Sequence, residues 1–171
     1  MRNIVLIGFT GAGKTAVGRR LAERLERPFV DTDREIEKLY GMKLSEIFRR
    51  YGEVRFRSEE AILVRKLVDQ SGLVIATGGG LVVNPENGRL LRESSILIGL
   101  TADLDTIHRR ICGKRNRPLL RSDHDLKASL EKLRHDRAGV YDIAEFTVDT
   151  TSLGPWEVVE RIIGYLNGGR E

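Results

Sequence analysis

Cysteine is nearly absent from this chain of 171 residues, which contains only Cys112. A single cysteine cannot form an internal disulfide, so the chain is not one of the small secreted domains that disulfides hold together. Long apolar runs are also missing, because none approaches the ~20 residues that a membrane-spanning helix requires. The first residues lack the apolar core of a signal peptide. These absences predict a soluble cytoplasmic protein with no membrane partner.

Aromatic residues are scarce, at 6% of the chain, and no long basic tract is interleaved with them. The chain has 29 Lys and Arg against 25 Asp and Glu, a net charge of +4. Nucleic-acid binding is the first explanation of a basic excess, but it usually comes with clustered cations and stacking aromatics. A basic pocket for phosphates and acidic small molecules explains the excess equally well. We therefore expect small-molecule partners and no nucleic acid.

Three glycines lie close together in the segment 8–15, which reads GFTGAGKT. The segment follows the apolar run 4–7 and precedes a helical pattern, which is the setting of a phosphate-binding loop. Its backbone N–H groups and the helix N-terminus favour phosphate oxygens, Lys14 supplies a mobile charge, and the Thr15 hydroxyl can bind Mg²⁺. The alternative is a glycine-rich turn that binds nothing. The pattern predicts a site for a nucleoside triphosphate formed by Gly11, Ala12, Gly13, Lys14, Thr15 and Ala16.

Short apolar runs alternate with amphipathic helical stretches along the whole chain. This alternation indicates a single α/β domain over residues 1–171, a parallel sheet flanked by helices on both faces. The expected strands are 4–7, 28–31, 73–76, 96–100 and 146–149. Residues 113–125 fit neither period and are rich in charge, so we expect them to form a mobile lid.

Two carboxylates, Asp31 and Asp33, stand at the end of the second expected strand. Alternation along a strand would put both on one side, at the edge of the sheet where α/β proteins bind ligands. We expect them to serve a metal and a hydroxyl group. The alternative is helix capping, with Thr32 and Glu35 forming a capping box. Capping by that pair gives no reason for Asp31.

Two further segments carry chemistry. Gly78, Gly79 and Gly80 follow the third expected strand, and their bare backbone can approach a ligand closely, so they suggest one wall of an acceptor pocket. Arg117, which precedes Pro118, could neutralise charge on a transferring phosphoryl group from the lid. A solvated basic helix end remains the simpler explanation of the other cations nearby. Spacing alone does not select Arg57 or Arg137.

Taken together, these segments resemble the shikimate kinases over nearly the whole chain. The resemblance rests on several motifs in order: residues 8–15, 31–33, Gly52-Glu53 with Phe56-Arg57, 78–80, 117–120, and Arg137 with Tyr141. It implies a three-layer P-loop kinase fold, with five parallel strands in the order 2-3-1-4-5. It also implies ATP-dependent phosphorylation of the 3-hydroxyl of shikimate, on the route to chorismate and the aromatic amino acids.

The resemblance also implies roles for individual residues. Lys14, Asp33 and Arg117 would be catalytic, and Thr15 and Asp31 would hold Mg²⁺. Shikimate would be bound by Asp33, Arg57, Gly78, Gly79, Gly80 and Arg137. The base of ATP would lie between Arg110 and Pro155. One departure from the family pattern is that Ala138, Gly139 and Val140 follow Arg137 where Pro-Leu-Tyr is frequent.

Three alternatives stay open at this point. The nearest is another small-molecule kinase of the same fold, for instance one acting on gluconate, which also carries a carboxylate and hydroxyls. A non-catalytic relative that only binds is the second, although it need not keep Lys14, Asp33 and Arg117. A nucleic-acid-binding P-loop protein is the third. Nothing in the sequence indicates an oligomer, so we expect a monomer.

Overall fold

The computed structural model describes residues 1–112 and 126–168, which form alternating strands and helices. The strands are β1 (Asn3–Gly8), β2 (Phe29–Asp31), β3 (Val74–Ala76), β4 (Ser95–Thr101) and β5 (Phe146–Asp149). The helices are α1 (Lys14–Leu25), α2 (Thr32–Tyr40), α3 (Leu44–Val68), α4 (Pro85–Ser94), α5 (Leu104–Ile111), α6 (Leu126–Asp136) and α7 (Pro155–Leu166), with a 3-10 turn at Leu81–Val83. Each expected strand is present, with ends displaced by at most one residue.

All strand pairs are parallel, in the order β2-β3-β1-β4-β5. This confirms the expected order 2-3-1-4-5. Strand β1 lies at the centre and is buried along its whole length, as expected for a strand covered on both faces. The carboxyl ends of β1, β2 and β3 therefore meet at one edge of the sheet, where the glycine-rich and acidic segments follow them.

The core has two layers of side chains, one on each face of the sheet. Ile4 and Leu6 belong to the layer that packs against α1 and α7, through residues such as Val17 and Val159. Their neighbours along β1 point to the opposite face, where α3 and α4 contribute Val64, Leu67 and Leu91. Alternation along a buried strand produces this division. The arrangement confirms the three-layer architecture.

Helix α3 is longer than the apolar stripe 61–68 suggests, because it begins at Leu44. Gly52, with φ of 78° and ψ of 169°, interrupts the helical conformation within it. Glycine adopts this conformation without the steric penalty of a Cβ. After this change of direction, the second half of α3 packs Val64 and Leu67 against the sheet, and Phe56 and Arg57 line a cavity.

The expected lid, 113–125, lies outside the described residues, and Arg117 lies there with it. Among the residues that the structure does describe, no helix is both long enough and apolar enough to cross a bilayer.

Candidate active site

The phosphate-binding loop connects β1 to α1, as expected. Gly11 and Gly13 have φ of 79° and 100°, values that side chains rarely tolerate, so the curl of the loop depends on glycine. The Lys14 side chain is buried and lies across the loop, where its Nζ donates to the carbonyl oxygens of Gly8 at 2.7 Å and Phe9 at 2.8 Å. A buried ammonium requires such acceptors. The cation is thereby held at the start of the loop.

Thr15 and Asp31 meet beside the loop. The Thr15 Oγ1 donates to Asp31 Oδ2 at 2.7 Å, and Asp31 Oδ1 accepts from the backbone N–H of Arg34 at 3.3 Å. Asp31 is therefore the N-cap of α2, whereas the capping alternative assigned this position to Thr32. That assignment is wrong. The Thr32 hydroxyl instead accepts from Gly78 N at 2.9 Å and so joins α2 to residues 78–80, which we call the glycine segment.

The prediction that Asp33 lies at the end of the second strand is also wrong. Strand β2 ends at Asp31, so Asp33 lies in the first turn of α2 rather than on the strand. Both carboxylates nevertheless line the same cavity. Asp33 packs so closely against Gly78 that a Cβ at that position would collide with its carboxylate.

The cavity has a volume of about 950 Å³ and extends from the phosphate loop to the segment between α2 and α3. At one end it is lined by Thr10, Thr15 and Asp31, and its middle holds Asp33 and the glycine segment. Apolar side chains complete the far wall: Met42, Leu44, Phe48 and Phe56. A polar end beside the loop and an apolar wall with fixed charges suit a small molecule that carries both hydroxyls and an anionic group.

Arg137 and Tyr141 approach this cavity from the residues after α6. Arg137 Nη1 donates to the carbonyl oxygen of Gly79 at 2.9 Å, and the Tyr141 hydroxyl donates to the same oxygen at 2.6 Å. Gly139, with φ of 75°, turns the chain between them. The departure Ala138-Gly139-Val140 from the family pattern therefore leaves Arg137 buried and directed at the glycine segment.

Arg57 reaches the glycine segment from α3. Its Nη1 donates to Glu60 Oε2 at 2.6 Å, and its Nη2 donates to Glu53 Oε1 at 3.1 Å. A Cβ at Gly80 would lie 2.6 Å from the Arg57 Nη2, so the guanidinium rests directly on that glycine. Arg57 and Arg137, 80 residues apart in number, thus converge on Gly79 and Gly80.

Glu60 is a site residue that sequence reasoning missed. Its side chain is 1% exposed, and its Oε1 has no hydrogen-bond partner among the described residues. Burial raises the pKa of Glu60 to about 7, with Arg57 opposing the shift and Asp33 adding to it. The spacing of three residues on a helix could have paired Glu60 with Arg57 from the sequence.

The part of the predicted nucleotide site that would hold the adenine base is formed by α5 and the residues after β5. Arg110 Nη2 donates to the carbonyl oxygen of Thr150 at 2.7 Å, and its Nη1 lies 3.4 Å from the carbonyl oxygen of Gly11. Pro155 is the first residue of α7, after an N-cap at Gly154. The structure therefore brings Arg110 beside the phosphate loop. Thr150, which holds it there, was not predicted.

The donor set suits magnesium. A hydroxyl and a carboxylate oxygen meet at Thr15 and Asp31, and Mg²⁺ prefers hard oxygen ligands, few of them from the protein when phosphates are present. No group of three or more His, Cys, Asp and Glu side chains in ranges 1–112 and 126–168 could hold a metal by itself. The two oxygens of Thr15 and Asp31 fit a metal that takes its other ligands from phosphates and water.

Comparison with known proteins agrees with this geometry. The family model described as shikimate kinase matches residues 10–167. A shikimate kinase from Pelotomaculum thermopropionicum is 58% identical over 166 residues, which cover 97% of this chain and 96% of that protein.

Solved structures give the same result. A shikimate kinase from Acinetobacter baumannii in complex with shikimate has a TM-score of 0.93 at 34% identity, covering 99% of this chain and 96% of that one. A shikimate kinase from Aquifex aeolicus has a TM-score of 0.80 at 32% identity, covering 98% and 99%. The chain belongs to the shikimate kinase family.

Proposed function

We propose that this protein is a cytoplasmic, monomeric, single-domain enzyme that transfers the γ-phosphoryl group of MgATP to the 3-hydroxyl of shikimate. The products are shikimate 3-phosphate and ADP, on the route to chorismate and the aromatic amino acids. Family membership supports the activity. The observation that carries the proposal is the convergence of Arg57 and Arg137 on the glycine segment, in a cavity whose other end is the phosphate loop.

The two arginines supply the recognition of the acceptor. A guanidinium presents a planar fork of donors that matches a carboxylate, and two forks from different elements fix the plane of the acceptor ring. Gly78, Gly79 and Gly80 form the wall against which the ring lies. Asp33, which lines the same cavity, then binds the ring hydroxyls.

The phosphate side uses backbone donors and a few charges. The amides of residues 11–16 and Lys14 bind the phosphates, while Thr15 and Asp31 hold the magnesium shell. Mg²⁺, when bound with ATP, neutralises charge on the β- and γ-phosphates. Arg110 and Pro155 enclose the base. Arg117 lies outside the described residues, and its contact with the phosphates stays a prediction.

The residues do little covalent work in this proposal. They align the hydroxyl with the γ-phosphorus and stabilise the charge of the transition state. Asp33 accepts or steers the proton of the attacking hydroxyl. The expected lid at 113–125 lies outside the described residues, and the exclusion of water by its closure stays a prediction.

The test is ADP release from MgATP, measured by a coupled assay with shikimate, with gluconate, and with no acceptor. We expect release that depends on shikimate. Dependence on gluconate would retain the phosphate loop but contradict the assigned acceptor. Stimulation by neither would contradict the proposed activity and favour the non-catalytic alternative.

A further inference from the structure

We propose that Thr150 is a positioning residue for the nucleotide, coupling the phosphate loop to the base side of the site. The inference rests on the proposed nucleotide site but not on the identity of the acceptor. Thr150 directly follows β5 and is buried, with 3% exposure. It contacts the phosphate loop, the end of β4 and the arginine of α5.

The Thr150 hydroxyl lies among three partners. Its Oγ1 is 3.0 Å from the carbonyl oxygen of Ala12, 3.0 Å from the carbonyl oxygen of Thr101, and 2.9 Å from Arg110 Nη1, which donates to it. A hydroxyl has one proton to donate. The Thr101 oxygen already accepts the backbone N–H of Thr150 at 2.8 Å. Donation of the hydroxyl proton to Ala12 gives that carbonyl a bond from Thr150, whereas the Thr101 carbonyl already has one from the Thr150 backbone.

The bond to Ala12 acts on the phosphate loop through peptide geometry. The described peptide bonds are all trans, and in a trans peptide the C=O and the following N–H point in opposite directions. A bond that fixes the Ala12 carbonyl therefore also fixes the direction of the Gly13 N–H. That amide is one of the predicted phosphate donors, and glycine itself gives its conformation little restraint.

The same threonine holds Arg110. Nη1 donates to the hydroxyl and Nη2 donates to the backbone carbonyl of Thr150, so two bonds set the plane of the guanidinium. A flat, fixed guanidinium can stack on an aromatic base. Thr150 thus orients a phosphate donor and the base-stacking cation together.

The chain offers a matched control in the next residue. Thr151 also uses its hydroxyl, which accepts from the backbone N–H of Asp103 at 2.9 Å, a contact that involves neither Ala12 nor Arg110. Thr150→Val and Thr151→Val therefore make the same chemical change one residue apart. Thr150→Ser keeps the hydroxyl and removes only the methyl group.

The experiment is calorimetric binding of ATP and of inorganic tripolyphosphate, each with Mg²⁺, to the full chain and to these variants. We expect Thr150→Val to weaken both ligands, ATP by about tenfold, since a hydrogen bond between neutral groups and one to a charged group are both lost. Thr150→Ser should remain within about threefold of the parent protein. Thr151→Val should bind both ligands like the parent, and thermal unfolding of each variant checks that it is folded.

Three results would overturn the inference. Parent-like binding by Thr150→Val would show that the Thr150 hydroxyl has no role in nucleotide binding. An equal loss in Thr150→Ser would assign the effect to the methyl group, and a loss confined to ATP would contradict the coupling to the phosphate loop. If the parent protein binds ATP but shows no shikimate-dependent turnover, the proposed activity fails while this comparison still decides the role of Thr150.

Discussion

The two halves of the candidate site are built in different ways. The phosphate half comes from consecutive residues, 8–15, whose conformation depends on glycine and whose donors are mostly backbone amides. The acceptor half comes from side chains on α2, α3 and the residues after α6. Those side chains are held by one another, as Arg57 is by Glu53 and Glu60.

This difference indicates how each half tolerates change. Outside the glycines with positive φ, backbone donors survive substitution, because every residue except proline supplies an N–H. In the proposed function, acceptor recognition depends instead on a few charged side chains, so a single substitution there should change the acceptor affinity and leave nucleotide binding intact. The following changes test that separation, in order of decreasing effect.

The largest effect is expected for Asp33→Asn. It removes the carboxylate that we propose accepts or steers the hydroxyl proton, while the phosphate loop is unchanged. We expect kcat to fall by about 10² to 10⁴, with ATP affinity retained. Initial rates of ADP release and calorimetric binding of ATP measure the two quantities. A kcat equal to that of the parent protein would contradict the role assigned to Asp33.

Arg137→Leu should weaken shikimate binding by about one to two powers of ten, because a charge-assisted contact is lost. The KM for ATP should stay within about twofold, since the substitution leaves the phosphate loop unchanged. Arg134→Leu, three residues earlier on an exposed position of α6, is the control. Equal effects of the two variants on shikimate KM would show that general charge, rather than a direct contact of Arg137 with the acceptor, determines affinity.

Gly80→Ala tests the contact between the glycine segment and Arg57. The new methyl would lie 2.6 Å from the Arg57 Nη2, so the guanidinium must move away from its bonds to Glu53 and Glu60. We expect shikimate affinity to fall by about three- to tenfold, with the loss of part of one charge-assisted contact.

The matched glycine is Gly164, where nothing lies within 4 Å of a new Cβ. Gly164→Ala should raise the free energy of unfolding by about 0.5–1 kcal/mol, as is usual for this change inside a helix. Its kinetics should be those of the parent. An unchanged shikimate KM in Gly80→Ala would mean that the position of Arg57 is not critical for acceptor binding.

We expect the smallest effect from Glu60→Gln, which should change the pH dependence of the free energy of unfolding. The pKa of Glu60 is about 7 in the folded protein against an ordinary value of 4.5, so the folded state binds this proton more tightly. Stability from this group is therefore fully present below about pH 4.5 and declines as pH rises to about 7. Chemical denaturation of Glu60→Gln at pH 5 and pH 7.5 should show a smaller decline than the parent. An identical decline would contradict the shifted pKa.

The sequence predicted the position of the loop between β1 and α1, because its residues are contiguous and its strand and helix flank it directly. Asp31 and Asp33 were expected on one side of the strand; they line one cavity, but Asp33 belongs to α2 rather than to the strand. Arg57 and Arg137 were identified only through the family resemblance, since exposed helices are rich in arginine and their contact is long-range. Glu60 and Thr150 were missed because their burial and partners arise from tertiary packing. Arg117 and the lid at 113–125 remain predictions.

The central claim is that Arg57 and Arg137 bind the acceptor carboxylate independently of the phosphate loop. The direct measurement is kcat/KM for shikimate and for the analogue in which the carboxylate is replaced by a primary alcohol, both in the parent protein and in Arg137→Leu. The account predicts a loss of about 10² or more for the alcohol in the parent, and a much smaller loss in Arg137→Leu. Equal discrimination by the two proteins would contradict it.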